Sequence, residues 1–330
     1  MAKMNEPIAV RNNVLKNRIA MLPVVTFSLK GDNGEYFGEQ HKKHYEAIAN
    51  GGPGLVIVQG TNAKGSVKEE RQWTPACQKT LKEIASIIKS KGALAMIQLS
   101  FGGDLITDIN ALDADELKYK QEELRTGAIR AWKLGFDGVE IHFGHGFSLC
   151  KLLDAEANQR TDQFGGTMEK RAGILTDIIP SIRTETGDDF IIGVRMGAYL
   201  PDLDTAQKTA KYLESKGVDL FNITFSVVHP DTVGPVPDDF PMNHVTYSGY
   251  LIKQVVNVPV IGVKQLDTEE KVRLLLEKEY ADIAGAATPI LADYDFPNKI
   301  MSGQPINQCR HCDRCFWFTD HTLCPARKSK

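Results

Sequence analysis

The stretch GLVIVQG at residues 54–60, the amphipathic stretch at 80–91 and the stretch ALAMIQLS at 93–100 together predict one strand–helix–strand unit. Both outer stretches are nearly continuous runs of apolar residues. Strands of this composition are buried on both faces, which occurs in parallel sheets that helices cover. This part of the chain therefore predicts a parallel α/β fold.

The same pattern recurs on both sides of this unit. Predicted strands occupy residues 18–25, 54–60, 93–100, 138–144, 190–197, 220–226, 259–264 and 281–287. Amphipathic stretches at 80–91, 114–134, 167–184, 205–216 and 268–278 predict helices between them. Eight strands alternating with helices favour a closed sheet, so we expect a single-domain TIM (β/α)8 barrel. The long loops at 26–39 and 227–246 would then shape a site at the C-terminal ends of the strands.

The composition excludes several classes of function. The 330-residue chain has 39 Lys and Arg against 42 Asp and Glu and no basic run, so we expect no nucleic-acid or membrane partner. The first residues form no apolar signal segment, and no stretch approaches the ~18 apolar residues of a membrane span. We therefore expect a cytoplasmic protein that acts on a small molecule, and the sequence leaves a homo-oligomer open.

Four of the six cysteines are crowded near the end of the chain. They follow a C-x2-C-x2-C-x8-C pattern at Cys309, Cys312, Cys315 and Cys324. Without a secretory signal, such crowding indicates metal binding rather than disulfides. Thiolates in this spacing suit an iron–sulfur cluster or zinc, and His311 or His321 could complete a Cys3His zinc site. We expect residues 304–330 to form a Cys-rich segment packed on a barrel of residues 1–303.

Polar side chains end four of the predicted strands. They are Gln98, His142 with the nearby His145, Arg195 and Lys264. Catalytic groups of TIM barrels lie at these strand ends, and a polar group buried there needs a partner or a ligand. Two histidines could donate to one substrate oxygen, which is worth roughly 3–4 kcal/mol of barrier. They could also bond neighbouring loops or bind zinc, although two ligands are too few for zinc alone. Arg195 would face either a buried carboxylate or an anionic ligand.

Residues 135–171, GFDGVEIHFGHGFSLCKLLDAEANQRTDQFGGTMEKR, resemble the signature of the Old Yellow Enzyme family of FMN-dependent oxidoreductases. Further similar segments are NRIAMLPV at 17–24, QLSFGG at 98–103, GVRM at 193–196 and ILADYDFPNKI at 290–300, so the resemblance covers nearly the whole chain. It implies an FMN-binding barrel in which NAD(P)H reduces the flavin and N5 of the flavin passes hydride to an activated alkene. The cysteine pattern resembles the [4Fe–4S] segment of the 2,4-dienoyl-CoA reductase and trimethylamine dehydrogenase branch, in which the fourth cysteine comes later than Cys324.

The resemblance implies a role for each matching residue. Pro23, Val24 and Val25 match the backbone beside the flavin ring, and Gly60 matches the small residue under its edge. Gln98 matches the glutamine at the pyrimidine edge, and Arg195 matches the arginine at N1 and O2. His142 and His145 match the pair that holds the substrate carbonyl. Lys264, Ala287 and Thr288 occupy the phosphate groove.

Three positions depart from the family pattern. Phe147 stands where the family usually has a proton-donating Tyr, which would leave Tyr199, Tyr247 or water as the acid. Val25 replaces a residue that hydrogen-bonds the flavin. In the phosphate groove, Lys264 replaces a glycine and Ala287-Thr288 replaces Gly-Arg, so Lys264 would have to supply the missing charge.

Two other classes of function are compatible with the residues. Lys264 at a strand end could form a Schiff base, as in aldolase-like barrels, if its amine were desolvated. A barrel that binds a ligand without turnover would explain the departures at Phe147, Val25 and Thr288.

Overall fold

The structure, a computed structural model, describes residues 3–63, 72–101, 108–226 and 235–328. A short antiparallel hairpin of β1 (Ile8–Val10) and β2 (Asn13–Leu15) precedes a closed parallel barrel. The barrel strands are β3 (Ile19–Met21), β4 (Leu55–Asn62), β5 (Leu94–Ser100), β6 (Gly138–Phe143), β7 (Ile191–Gly197), β8 (Leu220–Thr224), β9 (Val260–Val263) and β10 (Ile283–Gly285). Each strand pairs with the next, and β10 pairs with β3. The predicted (β/α)8 barrel is confirmed.

The helices surround the barrel. They are α1 (Glu39–Asn50), α2 (Pro75–Ser90), α3 (Ala114–Lys133), α4 (Ser148–Leu153), α5 (Met168–Thr176), α6 (Ile179–Thr186), α7 (Leu203–Ser215), α8 (His244–Lys253), α9 (Glu269–Glu277), α10 (Thr288–Ala292), α11 (Phe296–Met301) and α12 (Pro325–Lys328). The single helix predicted at 167–184 is wrong. Pro180 has no backbone N–H, and in a continuous helix its ring would clash with the carbonyl of Thr176. α5 therefore ends at Thr176, and α6 begins at Ile179.

Several predicted boundaries also differ from the structure. β3, β9 and β10 have only 3, 4 and 3 residues and are shorter than the apolar runs that predicted them. The hairpin and α1 were not predicted. α8 begins inside the loop expected at 227–246, and residues 227–234 of that loop lie outside the described residues.

Several helix ends are set by local features of the sequence. Gly92, Gly135 and Gly217 each follow a helix with positive φ, at 73°, 90° and 103°, which glycine adopts without strain. Thr268 caps α9 by accepting from the backbone N–H of Lys271. Among the described residues, no helix is both long and apolar enough to cross a membrane.

The barrel interior is apolar at the N-terminal end and polar at the other. An inner cluster packs residues such as Leu55, Met96, Ile191 and Leu220 together with Val10 of the hairpin. The hairpin therefore closes the N-terminal end of the barrel. A larger cluster fills the space between the strands and the helices. Because the hairpin covers the N-terminal end of the barrel, we look for a ligand site at its C-terminal end.

Two histidines on α1 are buried in the wall of the molecule. His41 is 1% exposed and His44 is 4% exposed, and Nδ1 of His44 lies 2.7 Å from the hydroxyl of Tyr294. Burial lowers the pKa of His41 to about 4, against a smaller opposing effect of Asp32. Burial and nearby cationic groups, Arg327 among them, lower the pKa of His44 to about 3. Both imidazoles are therefore neutral in the folded protein at neutral pH.

These pKa values predict acid sensitivity. The unfolded chain takes up both protons as the pH falls below about 6.5, whereas the folded chain does not until about 4 and 3. Stability is therefore complete above pH ~6.5 and falls by ~1.4 kcal/mol per pH unit for each histidine below it. Denaturant unfolding of the apoprotein at several pH values should show a steeper loss for the wild type than for the His41→Gln/His44→Gln double variant. Parallel curves would contradict the prediction.

Candidate active site

Two histidines follow one another at the C-terminal end of β6. Nε2 of His142 lies 2.9 Å from Nδ1 of His145, and Nε2 of His145 lies 2.9 Å from Oγ1 of Thr224 on β8. A Cβ at Gly144 would lie 2.8 Å from Cγ2 of Thr224, so only glycine lets the chain turn here so close to β8. The expected histidine pair is thus brought together, and it is linked to a third residue that the sequence did not indicate.

Both imidazoles are neutral at neutral pH. Burial and the positive charge of Arg195 lower the pKa of His145 to about 3 and hold the pKa of His142 well below its usual range. A neutral imidazole has one N–H donor and one acceptor nitrogen. The pair can therefore pass hydrogen bonds from ring to ring, but neither ring is an acid near pH 7.

Arg195 lies beside the histidines, because β7 pairs His142 directly with Arg195. Its Nε is buried and has no hydrogen-bond partner among the residues that the structure describes. Burial lowers the pKa of the guanidinium, and the negative charge of Glu140 opposes this effect. The sequence left open whether Arg195 faces a buried carboxylate or an anionic ligand. The structure is compatible with both, because the carboxylate of Glu140 is near and the Nε–H of Arg195 is left to donate to a ligand.

A polar layer lies just beneath these groups. The carboxylate of Glu140, 1% exposed, accepts from Nε2 of Gln98 at 2.7 Å and from Nδ2 of Asn222 at 2.7 Å. Side chains two residues apart on a strand point the same way, so Glu140 lies under His142 and Asn222 under Thr224. Sequence reasoning missed Glu140 and Asn222. The signal was present, since a charged residue in the middle of the buried strand GVEIHF needs a partner.

Gln98 on β5, Gly60 on β4 and Val25 after β3 meet beside the strand that holds the histidines. A Cβ at Gly60 would lie 3.0 Å from Oε1 of Gln98 and 3.7 Å from Cγ2 of Val25. Because Nε2 of Gln98 is held by Glu140, Oε1 is the atom that faces Gly60. Val25 also borders a cavity of about 360 Å³ that the loop after β3 encloses.

Two other residues of this segment play no visible part in the mouth. Pro23 is buried and Val24 packs against the outer core. The hydroxyl of Thr26 donates to Oε1 of Gln59 at 3.0 Å, so it does not replace the hydrogen-bonding side chain missing at Val25.

A cavity of about 480 Å³ extends from the histidines toward the last strands. Arg195, His145, Lys264, Ala287 and Thr288 line it. The structure therefore brings the residues of the expected phosphate groove to one cavity with Arg195. Lys264 is exposed and follows β9 with φ 82°, in the left-handed region that favours glycine.

The four clustered cysteines border the same cavity. Burial raises the pKa of Cys315, and the negative charges of the other three thiolates raise it further. Among the described residues, no three His, Cys, Asp or Glu side chains are arranged to hold a metal ion. His311 is bound to Asp267, with Nε2 and Oδ2 2.6 Å apart, and His321 stacks on Trp317. Neither histidine is directed to a Cys3His site.

Trp317 anchors this C-terminal segment to the barrel. It is 1% exposed and its ring packs against His44, Tyr294 and the guanidinium of Arg327, which lies 4.9 Å from the ring centre. Its carbonyl also accepts from the backbone N–H of Ser28 in the loop after β3. The segment is therefore attached to two parts of the barrel.

In the sequence signature, the residues that follow the histidines, Asn158 and Arg160 among them, stabilise a loop. Nδ2 of Asn158 donates to the carbonyls of Leu152 and Phe164, both at 2.8 Å. The guanidinium of Arg160 is bound to Asp162 and to two backbone carbonyls of the loop before α3. These residues hold the α4–α5 loop in place and do not reach the mouth.

Aromatic rings flank the histidine pair. Phe147 lies 5.3 Å from the ring of His142, and Phe225 lies 5.5 Å from the ring of His145. Tyr247, one candidate acid, packs against Phe240 at 4.8 Å and lines neither of the two cavities described above. Tyr199 is half-buried against the outer core.

The fold and this mouth define a parallel barrel of the flavin-oxidoreductase class. The model of the NADH:flavin oxidoreductase / NADH oxidase family matches residues 3–110 and 104–307. The chain belongs to this family. Membership supports FMN as the cofactor and NAD(P)H as the reductant.

Individual relatives are similar over nearly all of this chain. A metal reductase of Desulforamulus reducens is 28% identical and an NADH oxidase of Thermoanaerobacter brockii is 26% identical, over 96% and 93% of the chain. The chain spans 51% and 52% of their lengths, so it matches about half of each. The structure of a 2-naphthoyl-CoA reductase in complex with 2-naphthoyl-CoA superposes with a TM-score of 0.81 at 22% identity, covering 96% of this chain and 55% of that one. This last likeness shows the fold alone.

The packing of Trp317 predicts that this residue keeps the C-terminal segment attached to the barrel. Trp317→Ala should cost roughly 3–5 kcal/mol of the free energy that holds the segment on the barrel, because it empties a buried site. Trypsin should then cut after Arg310 and Arg314 much faster than in the wild type. Phe318→Ala is the matched control, since Phe318 is the next residue and is 44% exposed. Equal cleavage rates in the two variants would contradict this role.

Proposed function

We propose that this protein is an FMN-dependent NAD(P)H oxidoreductase of the Old Yellow Enzyme type. The observation that carries the proposal is Arg195, which lies at the same end of the barrel as the neutral histidine pair. Its buried Nε has no hydrogen-bond partner within the described part of the chain. Bound FMN would accept hydride from NAD(P)H and pass it from N5 to an activated alkene or another acceptor. The small-molecule substrate would enter at the C-terminal end of the barrel.

The residues at the mouth fit a flat ring with one charged edge. Arg195 offers a permanent cation and an unpartnered donor, and Gln98 offers the acceptor Oε1 beside the small residue Gly60. Val25 contributes an apolar wall. We assign the backbone of Pro23 and Val24 to the same flavin-binding surface because of the family resemblance.

The histidine pair would position the acceptor. His142 and His145 are neutral, and each can offer one N–H to a substrate oxygen. In the structure they bond to each other, so a substrate oxygen has to replace the contact of 2.9 Å between them. The link from His145 to Thr224 keeps the second ring oriented while this happens.

The residue beside the pair limits the chemistry. Phe147 has no proton to give to a substrate carbon, so alkene reduction requires an acid from elsewhere. Acceptors that need no protonated carbon fit this site better. The names of the two relatives, metal reductase and NADH oxidase, support an acceptor other than an alkene.

We assign the phosphate end of the cofactor to the cavity of about 480 Å³ where Lys264, Ala287 and Thr288 meet. Lys264 is one of the cations that line this cavity, and it would replace the arginine that the family has before α10. Its exposure argues against the Schiff-base alternative, which needs a desolvated amine.

We propose two functional parts, with residues 1–303 as the FMN barrel and 304–330 as a Cys-rich segment on its mouth. Cys309, Cys312, Cys315 and Cys324 border one cavity, which supports a [4Fe–4S] cluster or zinc bound by their thiolates. Binding would require the four side chains to move together from their present positions. We also propose a cytoplasmic location, and a homo-oligomer remains compatible with this assignment.

The colour of the purified protein tests the function directly. A yellow protein with flavin absorbance, bleached by NADH or NADPH, is expected, and a brown tint that is lost on chelation would show the iron–sulfur cluster. A colourless protein that FMN cannot reconstitute would favour the barrel without turnover.

Arg195 is expected to be required for cofactor retention. Arg195→Ala should reduce FMN affinity at least a hundredfold, because removing a charged donor from a buried site costs about 3 kcal/mol or more. Titration of the apoprotein with FMN, followed by flavin fluorescence, measures this. Wild-type affinity in the variant would exclude the assigned role.

Lys264 is expected to contact the phosphate of FMN and no other part of the cofactor. Lys264→Met should weaken FMN binding about tenfold, since one charge-assisted contact is lost. Riboflavin, which lacks the phosphate, serves as the control ligand and should bind both proteins equally. A parallel loss for riboflavin would show that Lys264 acts through the shape of the loop instead.

A further inference from the structure

The polar layer beneath the mouth contains a carboxylate to which the proposed function assigns no role. Glu140 is 1% exposed, and its two oxygens each accept one amide hydrogen bond of 2.7 Å, from Gln98 and from Asn222. Its register partners are Gln98 on β5 and Gly193 on β7. It is therefore held at the centre of three adjacent strands.

The stacking of this layer places Glu140 under the site. Inward-facing side chains alternate along each strand, so Glu140 comes one inward position before His142 on β6, and Asn222 comes one before Thr224 on β8. Gly193 stands directly before Arg195 in the inward row of β7, and it contributes no side chain between the carboxylate and the guanidinium. Burial raises the pKa of Glu140 and the positive charge of Arg195 opposes this effect, while burial lowers the pKa of Arg195 and the negative charge of Glu140 opposes it.

We propose that Glu140 is a positioning residue that fixes the acceptor atom of Gln98 toward the flavin and offsets the charge of Arg195, thereby lowering the reduction potential of the bound cofactor. The proposal rests on the FMN-dependent function proposed above. It follows from the two hydrogen bonds and the layer order, and it concerns a residue that touches neither cofactor nor substrate.

The orienting effect follows from hydrogen-bond direction. A carboxylate only accepts, so it holds the NH2 group of Gln98 downward and leaves Oε1 beside Gly60. The change Glu140→Gln leaves one acceptor oxygen for the two NH2 groups of Gln98 and Asn222. One of these two amides must then rotate by about half a turn. If Gln98 rotates, its NH2 group takes the place of Oε1 beside the ring.

The electrostatic effect follows from charge. Reduction adds electrons to the flavin, which a guanidinium favours and a carboxylate opposes. Glu140 is 1% exposed, so its charge is weakly screened by solvent. Removing the carboxylate leaves Arg195 unopposed and should stabilise the reduced cofactor more than the oxidised one.

Glu140→Gln tests both effects. We expect the ratio of FMN dissociation constants, oxidised over reduced, to rise about tenfold, which is a positive shift of ~30 mV for a two-electron couple. Equilibration against a reference dye measures the potential, and fluorescence titration of the apoprotein measures binding of oxidised FMN, which should weaken. An unchanged potential in a variant that retains FMN would overturn the proposal.

Two further variants separate this role from a structural one. Glu140→Asp keeps the charge but is too short for both hydrogen bonds, so it should restore the wild-type potential while oxidised FMN still binds more weakly. Glu123→Gln removes a buried carboxyl from the outer helix α3 and should leave the potential unchanged. A shift in Glu123→Gln equal to that in Glu140→Gln, or unfolding of both Glu140 variants while Glu123→Gln stays folded, would show a structural role and overturn the proposal. A wild-type protein that binds no FMN would instead overturn the proposed function itself.

Discussion

The half-buried guanidinium of Arg195, with its Nε buried, is the constraint around which the mouth of this barrel is organised. A cation can be kept at a strand end only if a nearby negative charge compensates it, and Glu140 supplies this charge from the layer below. The carboxylate in turn needs donors, which Gln98 and Asn222 provide. The same positive charge helps to keep the two histidines neutral. Burial and this one charge therefore act together on the protonation of Glu140 and of both histidines.

The sequence predicted the architecture well because a parallel strand buried on both faces is apolar throughout. All eight strands were found for this reason, whereas their ends were not, since apolar residues continue past the ladder of β3 and β10. The break at Pro180 was missed because the amphipathic pattern continues through it. The hairpin of β1 and β2 has only three residues in each strand, which is too short for a periodic signal.

The candidate site was predicted in part. His142, His145, Arg195 and Gln98 were recognised because polar residues at strand ends need partners, and the structure brings them to one mouth. Thr224 and Asn222 were not recognised, because strand register across β7 and β8 decides that they face this mouth and one sequence does not reveal register. The part of the signature around Asn158 and Arg160 supports the loop and not the chemistry. A specific motif can thus mark a family through its scaffold.

The position of the Cys-rich segment has a consequence for how the molecule is assembled. The segment lines the same cavity as Lys264 and Ala287, and Trp317 fastens it to elements from the beginning and the end of the barrel. During synthesis these residues emerge after every barrel strand has left the ribosome. A ligand that binds before Trp317 docks would therefore enter through a side of the cavity that the Cys-rich segment later lines. Loading during translation and exchange in the mature protein would then follow different routes.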